Sequence, residues 1–284
     1  MDHTGVMILM IPFSLRTPEW INITFFVLFM ALAWVRPAAR RRWKRATLIG
    51  GAGIGLILGA VYVPQFFARM DTSVIRDWLP APLILFVYWQ TGAFVDQPNE
   101  ALQKWLEGFD LRVMRAWRKV RGGSLLQIYL ELAYLLCYPL IPLGLGVLYL
   151  SHSRNLVDSY WLVVLPATYL CYVLLPFIQV LPPRLLKPEQ KTGNDNNPIR
   201  SFNLWILRRA SIQVATLPSA HVASTIAASL VLLQIMPLVG FVFLLLSVSV
   251  MVGAVVGRYH YAPDVLLGAA VALSVFGLGA LYFQ

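Results

Sequence analysis

The sequence predicts an all-α integral membrane protein, and three observations carry that expectation. Hydrophobic residues make up 58% of the 284 and charged residues only 13%, about half the charged share of a soluble domain. The mean hydropathy is +0.68, and several runs of roughly 17–23 apolar residues suit a hydrocarbon core about 30 Å thick. The cations gather in short stretches beside those runs, as loops do when they orient a membrane protein. The net charge of +10 therefore speaks for membrane orientation and against a nucleic-acid partner.

Eight spans are expected. The first, about Trp20–Val35, runs into six cations without an acid (Arg36, Arg40, Arg41, Arg42, Lys44, Arg45). The second, about Thr47–Ala68, is glycine-rich. No strand precedes Gly51-Ala-Gly53, so close helix packing through Gly55-x-x-x-Gly59 is expected there rather than a nucleotide loop. The third, about Leu79–Val95, is short and opens with Pro80 and Pro82. From Asn99 to Arg121, apolar residues (Leu102, Trp105, Leu106, Phe109, Val113, Trp117, Val120) recur every three or four positions opposite Lys104, Arg112, Arg115, Arg118 and Lys119. That pattern predicts an amphipathic helix on the membrane surface, ended by Gly122-Gly123. Spans four and five, about Leu125–Leu150 and Tyr160–Leu181, follow, with Glu131 inside the former. An intramembrane carboxylate is a functional candidate, and hydrogen bonding to neighbouring helices explains it equally well. Residues 182–217 read as a loop with a turn at Asp195-Asn196-Asn197-Pro198. The last three spans are about Ser219–Met236, Leu238–Val256 and Val265–Phe283.

This topology puts 36–45, 97–123, 182–217 and 258–264 on one face, with every cation except Arg16, Arg69, Arg76 and Arg154. By the positive-inside rule that face is cytoplasmic. Cys137 and Cys171 lie within apolar runs and imply no disulfide framework. The start, apolar over Met7–Phe13, lacks the basic region of a cleavable signal peptide. Residues 281–284, Leu-Tyr-Phe-Gln, resemble a tag remnant.

Three polar signatures stand out at span ends: Pro182-Pro183-Arg184, Pro218-Ser219-Ala220-His221, and Arg258-Tyr-His260-Tyr-Ala-Pro-Asp264. A histidine attacks phosphorus when one ring nitrogen is free and the other donates to a carboxylate. Four residues across a tight turn make His260 and Asp264 such a pair. Pro263 suits the first turn of the next helix, and Asp264 would then sit at a favourable helix start. Pro218 and Ser219 read as another helix start, whose free N–H groups cradle phosphate, with His221 placed to protonate a leaving oxygen. Arg184 and Arg258 are the first candidates for the phosphoryl oxygens. Lys187, Arg208 and Arg209 come after them. A His-x-x-x-Asp pair could also hold a metal, but no third ligand is evident. The bland reading of each signature is a capped helix end or a topology-setting arginine.

Taken together the signatures resemble the type 2 phosphatidic acid phosphatase superfamily, on Pro218–His221 and His260–Asp264. The resemblance implies a six-helix core over 79–284 carrying the 99–121 interfacial helix, with 1–78 as a two-span extension. The layout is similar to the branch with inositol phosphorylceramide synthases and related bacterial lipid phosphatases. Two departures stand out. The usual Lys and Arg-Pro motif is absent, Pro182-Pro183-Arg184 looking like its substitute. The third motif's usual arginine would fall at Ala254, so Arg258 or another cation replaces it. The resemblance implies a metal-independent reaction with no cofactor. His260 attacks a lipid phosphate or phospholipid, His221 protonates the departing group, and water or an alcohol takes the phosphoryl group. It also implies a site facing away from the cytoplasm, opposite to the charge bias. A lipid phosphatase is thus expected, a head-group phosphotransferase being the alternative. A non-catalytic lipid-binding or transport scaffold is the reading from another class. The sequence leaves oligomeric state open.

Overall fold

The computed structural model describes residues 15–66, 72–120, 124–186 and 197–279. The elements there are helical, and the one pairing of extended backbone among them is an isolated antiparallel bridge, Val180 to Ala215. In chain order the helices are α1 (Thr17–Val35), α2 (Trp43–Phe66), α3 (Ser73–Trp78), α4 (Pro80–Thr91), α5 (Glu100–Val120), α6 (Ser124–Leu135), α7 (Leu140–Leu150), α8 (Val157–Val173), α9 (Pro183–Leu186), α10 (Pro198–Ala210), α11 (Ala220–Ile235), α12 (Pro237–Val256) and α13 (Ala262–Gly279). Of these, α1, α2, α8, α12 and α13 belong to segments long and apolar enough to cross a membrane.

The remaining expected spans are modified, each for a local reason. The run over 125–150 is not one span: α6 and α7 are bent by 70° at the break after Leu135. Pro139 and Pro142 supply no backbone N–H and disfavour helical geometry in the residue before each. The segment expected over 160–181 leaves helix at Val173, just before Pro176, and continues as turn and extended backbone to Leu181. The third segment folds as α4, whose 12 residues rise only about 18 Å, followed by a 3-10 turn at Gly92–Phe94.

At 16 residues α11 is short for a span, and it is enclosed by α7, α8, α12 and α13. A helix hydrophobic on all sides belongs in such a place. Its Ser229 meets Ser247 of α12 at 2.9 Å, so neither buried hydroxyl is left unpaired. The loop expected over 182–217 contains α10, started by Asn197, whose side chain accepts from the Ile199 N–H at 2.9 Å, with Pro198 at the first position. Residues 1–14, Gly122-Gly123, Asp195-Asn196 and the terminal 281–284 lie outside the described residues.

Glycine packing in α2 uses a different face from the one expected. A Cβ at Gly55 or Gly59 would meet nothing within 4 Å, whereas one at Gly53 would strike the Phe26 ring at 2.3 Å. Ala46, Gly50, Gly53 and Ile57, spaced four, three and four apart, form the buried stripe toward α1 and α4. Gln90 of α4 exploits it by donating to the Phe26 and Ala46 carbonyls at 3.1 and 3.0 Å. In α5 the stripe turned to the protein is Gln103, Leu106 and Asp110, while Trp105 is exposed. The helix is amphipathic as expected, but its inner face is partly polar.

Two polar clusters mark opposite ends of the helices. At one end, Asp77 takes Arg16 Nη1 and Arg154 Nε, both at 2.7 Å, and the Tyr149 hydroxyl at 2.6 Å. Arg16 also reaches Asp158, and Arg76 pairs with Glu19 at 2.6 Å. Burial opposes the Asp77 charge, but Tyr149, Arg154 and Arg16 outweigh it and hold the carboxyl below its ordinary range. At the other end, Arg36 donates to the Pro176 carbonyl and Arg42 to that of Val95. With the Asn99 N–H donating to the Gln179 carbonyl and the Arg184 N–H to that of Arg258, segments 36–45, 92–99, 176–184 and 258–264 therefore lie together.

Replacing Asp77 with Ala removes the acceptor shared by Arg16, Arg154 and Tyr149, while Arg16 keeps Asp158, and should cost about 1–2 kcal/mol. The check is a lower thermal-unfolding midpoint in detergent, with helicity by circular dichroism retained at low temperature.

Candidate active site

Three chain segments converge because two helix starts are joined through their backbones. The Ser219 N–H, at the head of α11, donates to the Asp264 carbonyl in the first turn of α13 at 2.9 Å. Gly268, one turn further, permits that approach: a Cβ there would lie 2.5 Å from the Ser219 carbonyl oxygen. The turn after α12 is closed by the Tyr259 and His260 N–H groups, which share the Ala254 carbonyl at 2.9 and 3.0 Å. To make this turn Arg258 takes a left-handed backbone, φ 62°.

These constraints aim the side chains. His260 Nδ1 lies 2.9 Å from Asp264 Oδ2, with His260 6% and Asp264 0% exposed. His221, one residue into α11, puts its ring 5.8 Å from that of His260, edge to face at 81°. The α6–α7 break supplies the wall behind it. The Tyr138 and Tyr134 rings meet His221 edge-on at 5.5 and 6.2 Å. A paired Nδ1 leaves Nε2 with a free lone pair, and a second imidazole within reach is able to move a proton.

The expected cations divide. The Arg184 N–H donates to the Arg258 carbonyl at 3.0 Å, and Arg258 Nη2 donates to the Pro183 carbonyl at 3.2 Å. The first and third signatures are thereby stitched together. Arg209 is elsewhere. It lines a separate cavity with Arg42 and Arg45, and its guanidinium lies 4.8 Å over the Trp205 ring. Ser219 is fully buried and its hydroxyl bonds to no described protein atom. Lys187 lies outside the described residues.

Glu131, for which the sequence left a functional role and hydrogen bonding to neighbouring helices both open, makes such bonds, and its partners and two residues of α5 escaped sequence reasoning. Glu131 accepts from Arg200 Nη1 at 2.7 Å, from Asn203 Nδ2 at 2.9 Å and from the Tyr259 hydroxyl. Burial and the Glu131 charge keep the Tyr259 hydroxyl protonated, hence a donor. Tyr259 in turn stacks on Tyr134 with centroids 3.8 Å apart. Glu131 thus ties α6 to α10 and to the residue preceding His260. From α5, Gln103 bonds to the Tyr261 hydroxyl and accepts from the Leu181 N–H at 2.8 Å. Asp110 accepts from the Ala262 N–H at 3.2 Å. The signal available for α5 was two polar residues, seven apart, on one side of an otherwise amphipathic helix.

A helical membrane protein with a buried histidine–carboxylate pair facing a second histidine at one end of its helices is the class these features define. The family model of the PAP2 superfamily matches residues 101–278, and the chain belongs to that superfamily. Its members are typically phosphatases or phosphotransferases, so the chain is an integral membrane protein of a lipid phosphatase-type family. No curated protein and no solved structure gives a significant match.

Asp110 carries a pH consequence. Burial pushes its carboxyl up to about 6, the Ala262 N–H opposes this, and the nearby Asp264 charge adds to it. The folded state therefore binds a proton more tightly than the unfolded chain, and that stabilisation is lost as pH rises through about 6. Asn at this position keeps the acceptor for Ala262 without titrating. Between pH of about 4 and 6, the midpoint of the wild type should fall relative to Asp110→Asn, and above that window the difference should be flat.

Proposed function

We propose that the protein is a membrane lipid phosphatase acting through a phosphohistidine on His260. The observation that carries this reading is the 2.9 Å contact between His260 Nδ1 and Asp264 Oδ2, set against the His221 ring. With Nδ1–H donating to Asp264, the Nε2 lone pair attacks phosphorus and the carboxylate offsets the positive charge the ring gains. The P–O bond to the lipid breaks, and its oxygen takes a proton from His221. A bound phosphate's negative charge within about 4–6 Å favours the protonated imidazole needed for that step. Water then attacks, passing a proton to His221, and the P–N bond breaks. Lipid phosphate and water become lipid alcohol and orthophosphate, with both histidines restored.

Arg184 and Arg258 are assigned to the phosphoryl oxygens, supported by the backbone and side-chain bonds that hold the two segments together. At the start of α11 the Ser219 and Ala220 N–H groups are taken by Asp264 and Thr216, and those of His221 and Val222 take a further oxygen. Residues 79–284 form the catalytic unit in this reading and 1–78 an added pair of spans. The basic bias of the site's face argues for a cytoplasmic site. An acceptor alcohol in place of water would make the same intermediate serve head-group transfer. Pro182-Pro183-Arg184, standing where the superfamily has a different motif, favours that synthase-like branch as the second reading.

Two variants test the chemistry in detergent with a lipid phosphate and no added divalent cation. His260→Ala should abolish phosphate release and weaken vanadate binding; undiminished turnover would end the mechanism, and vanadate binding independent of both histidines would favour a scaffold. Gly268→Ala, which must push α13 off the head of α11, should lower turnover about 100-fold, the cost of an ångström-scale misplacement, while circular dichroism shows helicity retained.

A further inference from the structure

Beyond the His260 site, a cavity of about 710 Å³ opens on the same end of the helices. That volume is within the roughly 300–1,000 Å³ of small-molecule sites. Its lining brings together Arg42, Arg45 and Arg209, from the turn before α2, from α2 itself and from the end of α10. None of the three has an ion-pair partner among the described residues, whereas Arg16, Arg76, Arg154 and Arg200 are each paired with a carboxylate. Three like charges held around one cavity repel one another and are relieved by an anion.

All three arginines are exposed at the mouth of this open cavity, and two of them are held in place. Arg42 is held by the Val95 carbonyl at 2.9 Å and Arg209 by the Trp205 ring, which leaves further N–H groups of both planar forks for a ligand. Trp89 Nε1 donates to the Ala210 carbonyl at 2.8 Å, and the Tyr88 hydroxyl accepts from the Ile212 N–H at 3.0 Å and bonds to Ser211 Oγ at 3.1 Å. Gln213, with φ 62°, completes that turn. The remaining walls are apolar at Ile49, Trp89, Val95 and Ile212 and polar at Ser211. A cationic rim over apolar walls suits a phosphate group carried on a less polar body.

We infer that Arg42, Arg45 and Arg209 form a second, non-catalytic site that binds a phosphate group at the membrane surface. The ligand is either free in solution or the head of an anionic lipid. The inference does not depend on the proposed reaction, because none of its residues belongs to the His260 group and binding is measured without turnover.

The test uses the full chain carrying His260→Ala and reads the thermal-unfolding midpoint against ligand concentration. One arm titrates inorganic phosphate in detergent. The other compares nanodiscs of phosphatidylcholine with and without phosphatidylglycerol. A rise in the phosphate arm assigns a soluble ligand, and a rise only in the lipid arm assigns a headgroup. In either case the triple change to Gln should remove the shift. The triple change to Lys keeps charge and topology but loses the bidentate fork, and should weaken apparent affinity by roughly tenfold or more. No shift in either arm, a shift that survives the Gln changes, or equal affinity in the Lys protein would each overturn the site. The Lys protein keeps the test decisive should the Gln protein not fold.

Discussion

One backbone hydrogen bond, from the Ser219 N–H to the Asp264 carbonyl, sets the geometry on which the site depends. It joins the first turns of α11 and α13, the two helices that carry His221 and Asp264. Because Asp264 is fixed there, His260, four residues earlier in the same turn, has its ring placed as well. The bond is possible only because residue 268 lacks a Cβ. A side-chain cluster assembled from helix starts needs this kind of anchoring. Helix starts fray, and an error of about an ångström is costly in reactions that rely on positioning.

Around that bond many buried polar atoms pair with one another, while the Ser219 hydroxyl and Asp264 Oδ1 bond to no described protein atom. Glu131 shows how: a carboxylate inside an apolar run is costly, and here it is absorbed by Arg200, Asn203 and Tyr259. The same network orients the residue beside His260, so the cost of burial is offset where precision is needed. At the far end, Asp77 plays a purely mechanical part, tying α3 to the segments that precede α1 and α8. The paired cations of that end and the open arginines of the other are the physical form of the charge asymmetry in the sequence.

Much of this was legible in the chain. The helical membrane class followed from composition, and His221, His260 and Asp264 announced themselves as polar residues at span ends. The break between α6 and α7 was also written there, in Pro139 and Pro142, although an unbroken apolar run disguised it. Likewise Asn197-Pro198 read as a turn when it is the cap and first residue of α10. The glycines of α2 were misread because five of them offer several faces and only packing selects one. Gly50 and Gly53 face Gln90 and Phe26, while Gly55 and Gly59 face open space.

By itself the sequence determined which segments are apolar enough to prefer a bilayer, where the cations cluster, and which polar residues stand at span ends. Those properties reside in composition and local spacing, and they survive any rearrangement of the helices. Tertiary structure alone decided that the Arg184 and Arg258 segments bond to each other while Arg209 joins Arg42 and Arg45. It also decided that Glu131 is a tether and that Asp110 leans on the site from α5. Such choices depend on which distant segments touch, and linear spacing holds no record of that.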